Sequence, residues 1–257
     1  MTLGTAVAPC IHLVGAGPGD PELLTIKAWR LLSSADVVVH DRLVPPAILN
    51  AMPPNVERID VGKAPGCHPV PQDQINAMLV ELARSGRRIV RLKGGDPFIF
   101  GRGGEEAEYL ARHGIACNVV PGITSASACA SALGIPLTHR GLASSVRFIT
   151  GHCQDGELNH DWQKLADPDA TLVVYMGLAN IRTIADRLIQ AGLAEHTPVV
   201  MICDGTLPSQ THVIATLATI GELAGTLHRT GRTLFVIGQV VRLAEAVLSA
   251  EREAAIV

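Results

Sequence analysis

Leu92-Lys93-Gly94-Gly95-Asp96-Pro97-Phe98-Ile99-Phe100-Gly101-Arg102-Gly103-Gly104-Glu105-Glu106 is the stretch whose reading decides the fold. An apolar run ending at Leu92 predicts a strand, and Ala107, Leu110 and Ala111 give the spacing of a helix beyond it. Strand, glycine-rich loop and helix in that order put the loop at the carboxyl end of a strand, where open α/β sheets bind ligands. Glycine tolerates positive φ and lets a ligand approach the main chain, while Asp96, Arg102 and Glu105 are left to recognise polar atoms. An ordinary loop with a helix start at Glu105 is the bland alternative. Ordering five glycines around two phenylalanines and an arginine costs conformational entropy that a bound ligand would offset, which favours a site.

Upstream, Ile11 to Gly15 predicts a buried strand running into Gly15-Ala16-Gly17-Pro18-Gly19-Asp20-Pro21. Asp20 suits an N-cap and Pro21 a first helical residue, so one helix is expected from there through Leu23, Leu24, Ile26, Lys27 and Leu31. The loop is not a dinucleotide fingerprint. Asp20 replaces the third glycine, Pro18 has no N–H to offer, and a carboxylate at the helix start would repel a pyrophosphate. A loop meeting a neutral or cationic ligand through its main chain stays open. Asp36 to His40 predicts a second strand ending in Asp41-Arg42, and Val56 to Val61 a third ending in Gly62-Lys63. Ile75, Met78, Leu79 and Leu82 mark an amphipathic helix over Gln72 to Arg84. Arg88 to Lys93 is the strand feeding the glycine loop, and Ala116 to Val120 closes this half at Pro121-Gly122.

Beyond that break, strand and helix alternate afresh. Thr124 to Leu133, rich in alanine and serine, suits a tightly packed helix. Val146 to Thr150, Thr171 to Met176 and Val199 to Cys203 predict strands, with a helix through Ile181, Ile184, Ala185, Leu188 and Ile189 between the last two. His212 to Thr216 and Leu234 to Val241 are expected to pair with one another as antiparallel strands, with a helix from Ile220 to Leu223 between them. The fold class is therefore α/β, with two consecutive α/β domains over residues 10–122 and 123–246 and terminal tails at 1–9 and 247–257. No sequence repeat relates the halves. A ligand cleft is expected between them. Asp41, Lys63, Asp96 and Arg102 from one half are expected to face Met176, Asp204, Gly205 and Thr206 from the other.

Composition restricts the function classes. At 257 residues the chain can bury a full core, and 47% apolar with 18% charged residues describes a soluble globular enzyme. A net charge of -3 and 3% aromatic residues argue against a nucleic-acid surface. No apolar run approaches the ~18 residues of a membrane span, and the first ten residues lack a signal peptide's pattern, so the cytoplasm is expected. The six cysteines form no CxxC pair, and free thiols are expected. His152-Cys153 followed by His160 matches no common zinc spacing, so no metal is expected.

Taken together, Val14 to Pro21, Val39-His40-Asp41, Val61-Gly62-Lys63, Leu92 to Glu106, Val120 to Ser125, Gly134 to Arg140, Tyr175-Met176-Gly177 and Asp204-Gly205-Thr206 resemble the tetrapyrrole methylases over residues 10 to 245. The resemblance is strongest to members acting on uroporphyrinogen III. It implies S-adenosylmethionine bound between two α/β domains and S-adenosylhomocysteine as product. It further implies a homodimer and methylation at C2 and C7, giving precorrin-2 via precorrin-1. By the same resemblance, cofactor contacts fall on Pro18, Gly94, Gly95, Asp96, Ile99, Thr124, Ser125, Met176 and Gly205. A proton acceptor falls on Asp41 and a proton donor on Lys63. Substrate contacts fall on Arg102, Glu105, Arg140 and Met176, with Arg102 also carrying catalysis. Ser125 replaces the more usual alanine, and Asp204-Gly205-Thr206-Leu207-Pro208 is a loose form of its motif.

The residue types suit that chemistry, with ordinary readings beside them. Arginine forks bind carboxylates in defined geometry, which a polycarboxylate macrocycle needs. Arg102 in a glycine loop is poorly explained by packing, whereas Arg140 has an exposed loop charge as its alternative. Glu105 can orient Arg102 or accept a pyrrole N–H, or simply serve the helix start. Asp41 as a turn cap, Lys63 as a solvated lysine and Met176 as core packing are the other plain readings. Rival functions are a methylase of a later corrin precursor such as precorrin-4, a same-fold RNA methyltransferase, and a non-catalytic nucleotide-binding module. Sirohaem, cobalamin and haem d1 all remain open as the pathway served, since no dehydrogenase or chelatase domain in this stretch ties it to sirohaem.

Overall fold

Near-continuous buried runs in the inner strands build the first sheet from β1 (Cys10–Gly15), β2 (Val37–His40), β3 (Glu57–Asp60), β4 (Ile89–Lys93) and β5 (Ala116–Val120), with β2 and β4 buried at every position. All its pairings are parallel, in the order β3-β2-β4-β1-β5. The chain leaves β1 toward β2 on one side and leaves β4 toward β5 on the other, so the carboxyl ends of β1 and β4 flank a topological switch point. In this computed structural model residues 9–62, 70–152, 157–226 and 232–244 are described. The chain divides into two units, Met1–Thr124 and Ser125–Val257.

Helices cover both faces of the first sheet. On one, α1 (Ile26–Ser34) and α2 (Pro46–Ala51) bury Ala28, Leu32 and Ile48 against Val14, Val38, Val90 and Leu92. On the other, α3 (Gln72–Arg84) and α4 (Gly103–Arg112) bury Ile75, Leu79 and Leu110 against Ile11, Val37, Val39 and Ile89. The single helix expected after Pro21 is instead two pieces. Asp20 caps a 3-10 turn, Pro21–Leu23, by accepting from Glu22 N, and Thr25 then caps α1 by accepting from Ala28 N. A second cap five residues later, this one a hydroxyl, restarts the helix, which one apolar period does not reveal.

The second unit begins with α5 (Ser125–Ser131), whose small residues pack beneath a second sheet, and has β6 (Ser145–Thr150), α6 (Trp162–Leu165), β7 (Ala170–Tyr175), α7 (Ile181–Gln190), β8 (Pro198–Cys203), β9 (Thr211–Thr216), α8 (Leu217–Thr226) and β10 (Thr233–Ile237). The order β6-β7-β10-β8-β9 makes a mixed sheet in which only β6 and β7 run parallel. The expected pairing of the last two strands is not formed. β9 and β10 each pair antiparallel with β8, on opposite edges of it, and the run after Ile237 becomes a 3-10 turn, Gln239–Arg242. All six β8 residues are buried, so this strand gains most from the central place and separates the other two. Among the described residues no helix is long and apolar enough to cross a membrane.

Candidate active site

Among the described residues, the deepest charge lies at the carboxyl ends of β2 and β4. Arg91 and Lys93 occupy alternate positions of a central strand and so share the face that looks toward α3 and α4, where they are 1% and 4% exposed. Period two along β2 puts Asp41, one residue past the strand's end, on the same face as Val37 and Val39. Arg91 Nη2 donates to Asp41 Oδ1 at 2.5 Å and to Glu106 Oε1 at 3.1 Å. Lys93 Nζ lies 2.9 Å from Glu106 Oε1 and 3.5 Å from Asp41 Oδ2. Gln72 Nε2 on α3 donates to the same Glu106 oxygen, while Glu106 Oε2 is buried with no partner. Burial works against the Arg91 charge, but Asp41 and Glu106 outweigh it and hold the guanidinium above its ordinary pKa. Asp41, with its side chain 26% exposed, is the member of this cluster that reaches solvent.

Above the cluster the glycine loop is pinned by main-chain bonds. Gly17 and Gly95 exchange N–H···O bonds of 3.2 and 2.7 Å, and Asp96 accepts from Phe98 N and Gly122 N. A Cβ on Gly122 would sit 2.2 Å from Gly95 O, and one on Gly15 2.5 Å from Gly122 N. Three segments of backbone therefore pack directly on one another, a use of glycine beyond contact with a ligand. Gly94 and Ile99 are half-buried in this loop and Pro18 is buried. Phe100 and Arg102 adopt φ of 51° and 58°, an uncommon conformation for such bulky residues. The Arg102 fork holds Glu105, with Nη2 to Oε2 at 2.6 Å, although both side chains are 55% exposed. This hydrogen bond raises the Arg102 pKa and lowers that of Glu105.

In the second unit the same strain recurs at strand ends. Met176 follows β7 with φ 53° and is 52% exposed, so it is not core packing. Asp204 and Thr206, either side of Gly205, have φ of 50° and 68°. Asp204 accepts from Arg232 N and Ser209 Oγ, and Thr206 N donates to Gln210 Oε1. Gly205 lies over Cys129 so closely that a Cβ would be 2.2 Å from Sγ, and burial pushes that thiol up to about 11. Thr206 Oγ1 and Arg232 Nη1 are buried without partners. Strain and unsatisfied polar atoms persist where the surroundings impose them, which is common at ligand sites. Ser125 opens α5, Thr124 precedes it, and Arg140 is exposed in a turn closed by the His139–Ala143 bridge, on an open groove that also includes Asp169.

Asp41 does not use its side chain as a turn cap. Its backbone oxygen receives Val44 N, leaving the carboxylate to Arg91 and Lys93. Glu105 orients Arg102, and α4 starts at Gly103 rather than Glu105. Lys63 lies outside the described residues, as do Cys67 and Cys153, while Cys10, Cys117, Cys129 and Cys203 are free. No cluster of metal-ligating residues occurs among the described residues. Arg91 and Glu106 are the polar members that motif reading passes over. Two cations at i and i+2 inside the run Ile89-Val90-Arg91-Leu92-Lys93 are a usable signal, because a central strand cannot bury them unpaired.

Residues 10–221 match the family described as Tetrapyrrole (Corrin/Porphyrin) Methylases. A siroheme synthase of Azotobacter vinelandii is 55% identical over 233 residues, covering 91% of this chain and 50% of that protein. Another, of Pseudomonas fluorescens, is 54% identical over 235 residues, covering 91% and 51%. The chain thus spans about half the length of these curated relatives. Among solved structures, a uroporphyrin-III C-methyl transferase of Thermus thermophilus complexed with S-adenyl homocysteine superposes with TM-score 0.78 at 42% identity, covering 91% of this chain and 99% of that one. A cobalt precorrin-4 methyltransferase gives TM-score 0.82 at 26% identity, covering 93% and 99%.

Proposed function

Since the chain belongs to the tetrapyrrole (corrin/porphyrin) methylases, we propose that it transfers methyl groups from S-adenosylmethionine to C2 and C7 of uroporphyrinogen III, giving precorrin-2. The observation that carries this reading is the Asp41 carboxylate, which reaches solvent at a strand end above a buried pair of cations and so supplies a base beside the ligand loops. Identity of 42% to the Thermus uroporphyrin-III enzyme, against 26% to the precorrin-4 enzyme, supports this substrate over a later corrin precursor.

When bound, S-adenosylmethionine supplies a methyl group on a sulfonium that becomes neutral as the methyl leaves. The donor fits the residues present. Partner-seeking Thr206 Oγ1 and Arg232 Nη1 beside Gly205 suit its hydroxyls and carboxylate, and the half-buried main chain at Gly94 and Gly95 suits a group that loses charge. Pro18, Asp96, Ile99, Thr124, Ser125 and Met176 complete the proposed donor contacts. Arg102 and Arg140 hold ring carboxylates, with Glu105 keeping the Arg102 fork in orientation. The ring carbon's electron pair makes the new carbon–carbon bond as the carbon–sulfur bond breaks toward sulfur. The ring then bears one positive charge and gives a proton to Asp41. Lys63, as proton donor, belongs to the same proposal. Positioning and exclusion of water, rather than covalent catalysis, account for most of the rate. A homodimer in the cytoplasm completes the reading, and precorrin-2 leaves sirohaem, cobalamin and haem d1 open as destinations.

Incubation with uroporphyrinogen III and methyl-labelled donor is expected to yield a product carrying two labelled methyl groups. Incorporation only into a later corrin precursor would replace the substrate, and incorporation into neither would remove the reading. Arg102→Lys is expected to keep the fold and donor binding but to lower turnover by at least about tenfold, because an ammonium cannot grip a carboxylate with two parallel bonds. Steady-state rates equal to the parent's would show that Arg102 does not hold substrate.

A further inference from the structure

Methyl transfer explains why Asp41 reaches the ligand side, but not why a second carboxylate is buried beneath it. Glu106 is 1% exposed, its Oε2 meets no partner, and its Oε1 collects Arg91, Lys93 and Gln72. Burial of such an ion is tolerated only against cations, and the cations it uses are the two that hold Asp41. Both carboxylates meet at one nitrogen, Arg91 Nη2, and both approach Lys93 Nζ. Among the described residues the cluster therefore balances two cations against two anions.

From this sharing we infer that Glu106 is a positioning residue that sets the proton affinity of Asp41 by competing for Arg91 and Lys93, without touching substrate. The inference rests on the reading of Asp41 as the base. Lys63, the proposed proton donor, lies outside the described residues; among the described residues the other charged groups around Asp41 are engaged elsewhere. His40 Nδ1 lies 3.3 Å from Asp41 O and 4.0 Å from Asp60 Oδ1, on the β3 side. Arg42 follows in sequence, α3 presents the neutral Gln72 and Asn76, and Glu105 on α4 feels Lys93 but is engaged by Arg102. Cys117 on β5 feels Glu106, and its thiol is pushed up to about 11, chiefly by burial, so it stays neutral. Among the described residues, Glu106 is thus the anion that opposes the hold of the two buried cations on the Asp41 carboxylate.

With Glu106 ionised, Arg91 and Lys93 are partly spent on it, and Asp41 takes a proton more readily than it would beside unopposed cations. Glu106→Gln leaves one uncompensated positive charge, so Asp41 protonates at lower pH and becomes a weaker base. The acid limb of the kcat–pH profile for uroporphyrinogen III methylation is expected to move down by about one pH unit, with a lower plateau. Lys93→Met removes a cation and is expected to move the limb the other way, whereas Glu106→Asp keeps the charge and leaves it in place. S-adenosylhomocysteine affinity, measured by calorimetry at each pH, is expected to stay that of the parent. Purely structural roles lower stability without opposite shifts. A limb that stays put in both Glu106→Gln and Lys93→Met, or moves equally in Glu106→Asp, overturns the inference. Should Glu106→Gln fail to fold, the direction in Lys93→Met decides. Asp41→Asn separates the two levels. Parental turnover there removes the base and this inference together, while slow turnover with an unmoved Glu106→Gln limb removes the inference alone.

Discussion

Asp41→Asn is expected to slow uroporphyrinogen III turnover by at least about 100-fold, the usual yield of a positioned general base, while binding S-adenosylhomocysteine like the parent. The amide keeps the side-chain volume and an oxygen that can accept from Arg91, so the buried cations retain a partner at the strand end. It cannot take a proton from the methylated ring, and that step then falls to water. Because Asp41 is partly exposed, the stability cost should be well short of the ~3–5 kcal/mol that breaking a fully buried pair brings. Initial rates at saturating donor, with calorimetric binding of the product cofactor, check both halves. Parental rates would assign the carboxylate to holding Arg91 and nothing more.

The second large effect concerns stability. Gly122→Ala is expected to cost about 3 kcal/mol, because its Cβ would stand 2.2 Å from Gly95 O and 2.8 Å from Gly15 Cα. Every near atom belongs to main chain, so no side chain can swing aside. Relief requires moving the loops after β1, β4 and β5, which also breaks the bond from Gly122 N to Asp96 Oδ2. Gly104→Ala is the matched control. It lies in the first turn of α4, nothing stands within 4 Å of its added Cβ, and a gain of up to about 1 kcal/mol is expected from helix propensity. Urea midpoints on the two variants compare them directly. Equal midpoints would mean that the glycine contact yields without cost.

Where residue pattern follows local geometry, it reads to the residue. The helix Gln72–Arg84 and the strand Ala116–Val120 have the boundaries that their apolar periods imply. The glycine loop between β4 and α4 is equally plain, because a strand, a turn-forming run and a helix each have a local signature. The pairings β8–β9 and β8–β10 are not local. Any two of three apolar strands satisfy the antiparallel pattern, and the choice falls to which strand can be buried on both sides.

Sequence by itself determined the alternation of strands and helices and the glycine loop at a strand end, because backbone preference and side-chain period act over a few residues; the candidates Asp41, Arg102 and Met176 took their roles from the family resemblance. Only tertiary structure decided the partners of Asp41. Arg91 lies 50 positions from Asp41 and 15 from Glu106 along the chain, and it reaches both because β2, β4 and α4 bring one face of each together. A buried charge must find its counter-ion wherever the fold places one, and sequence separation carries no record of that distance.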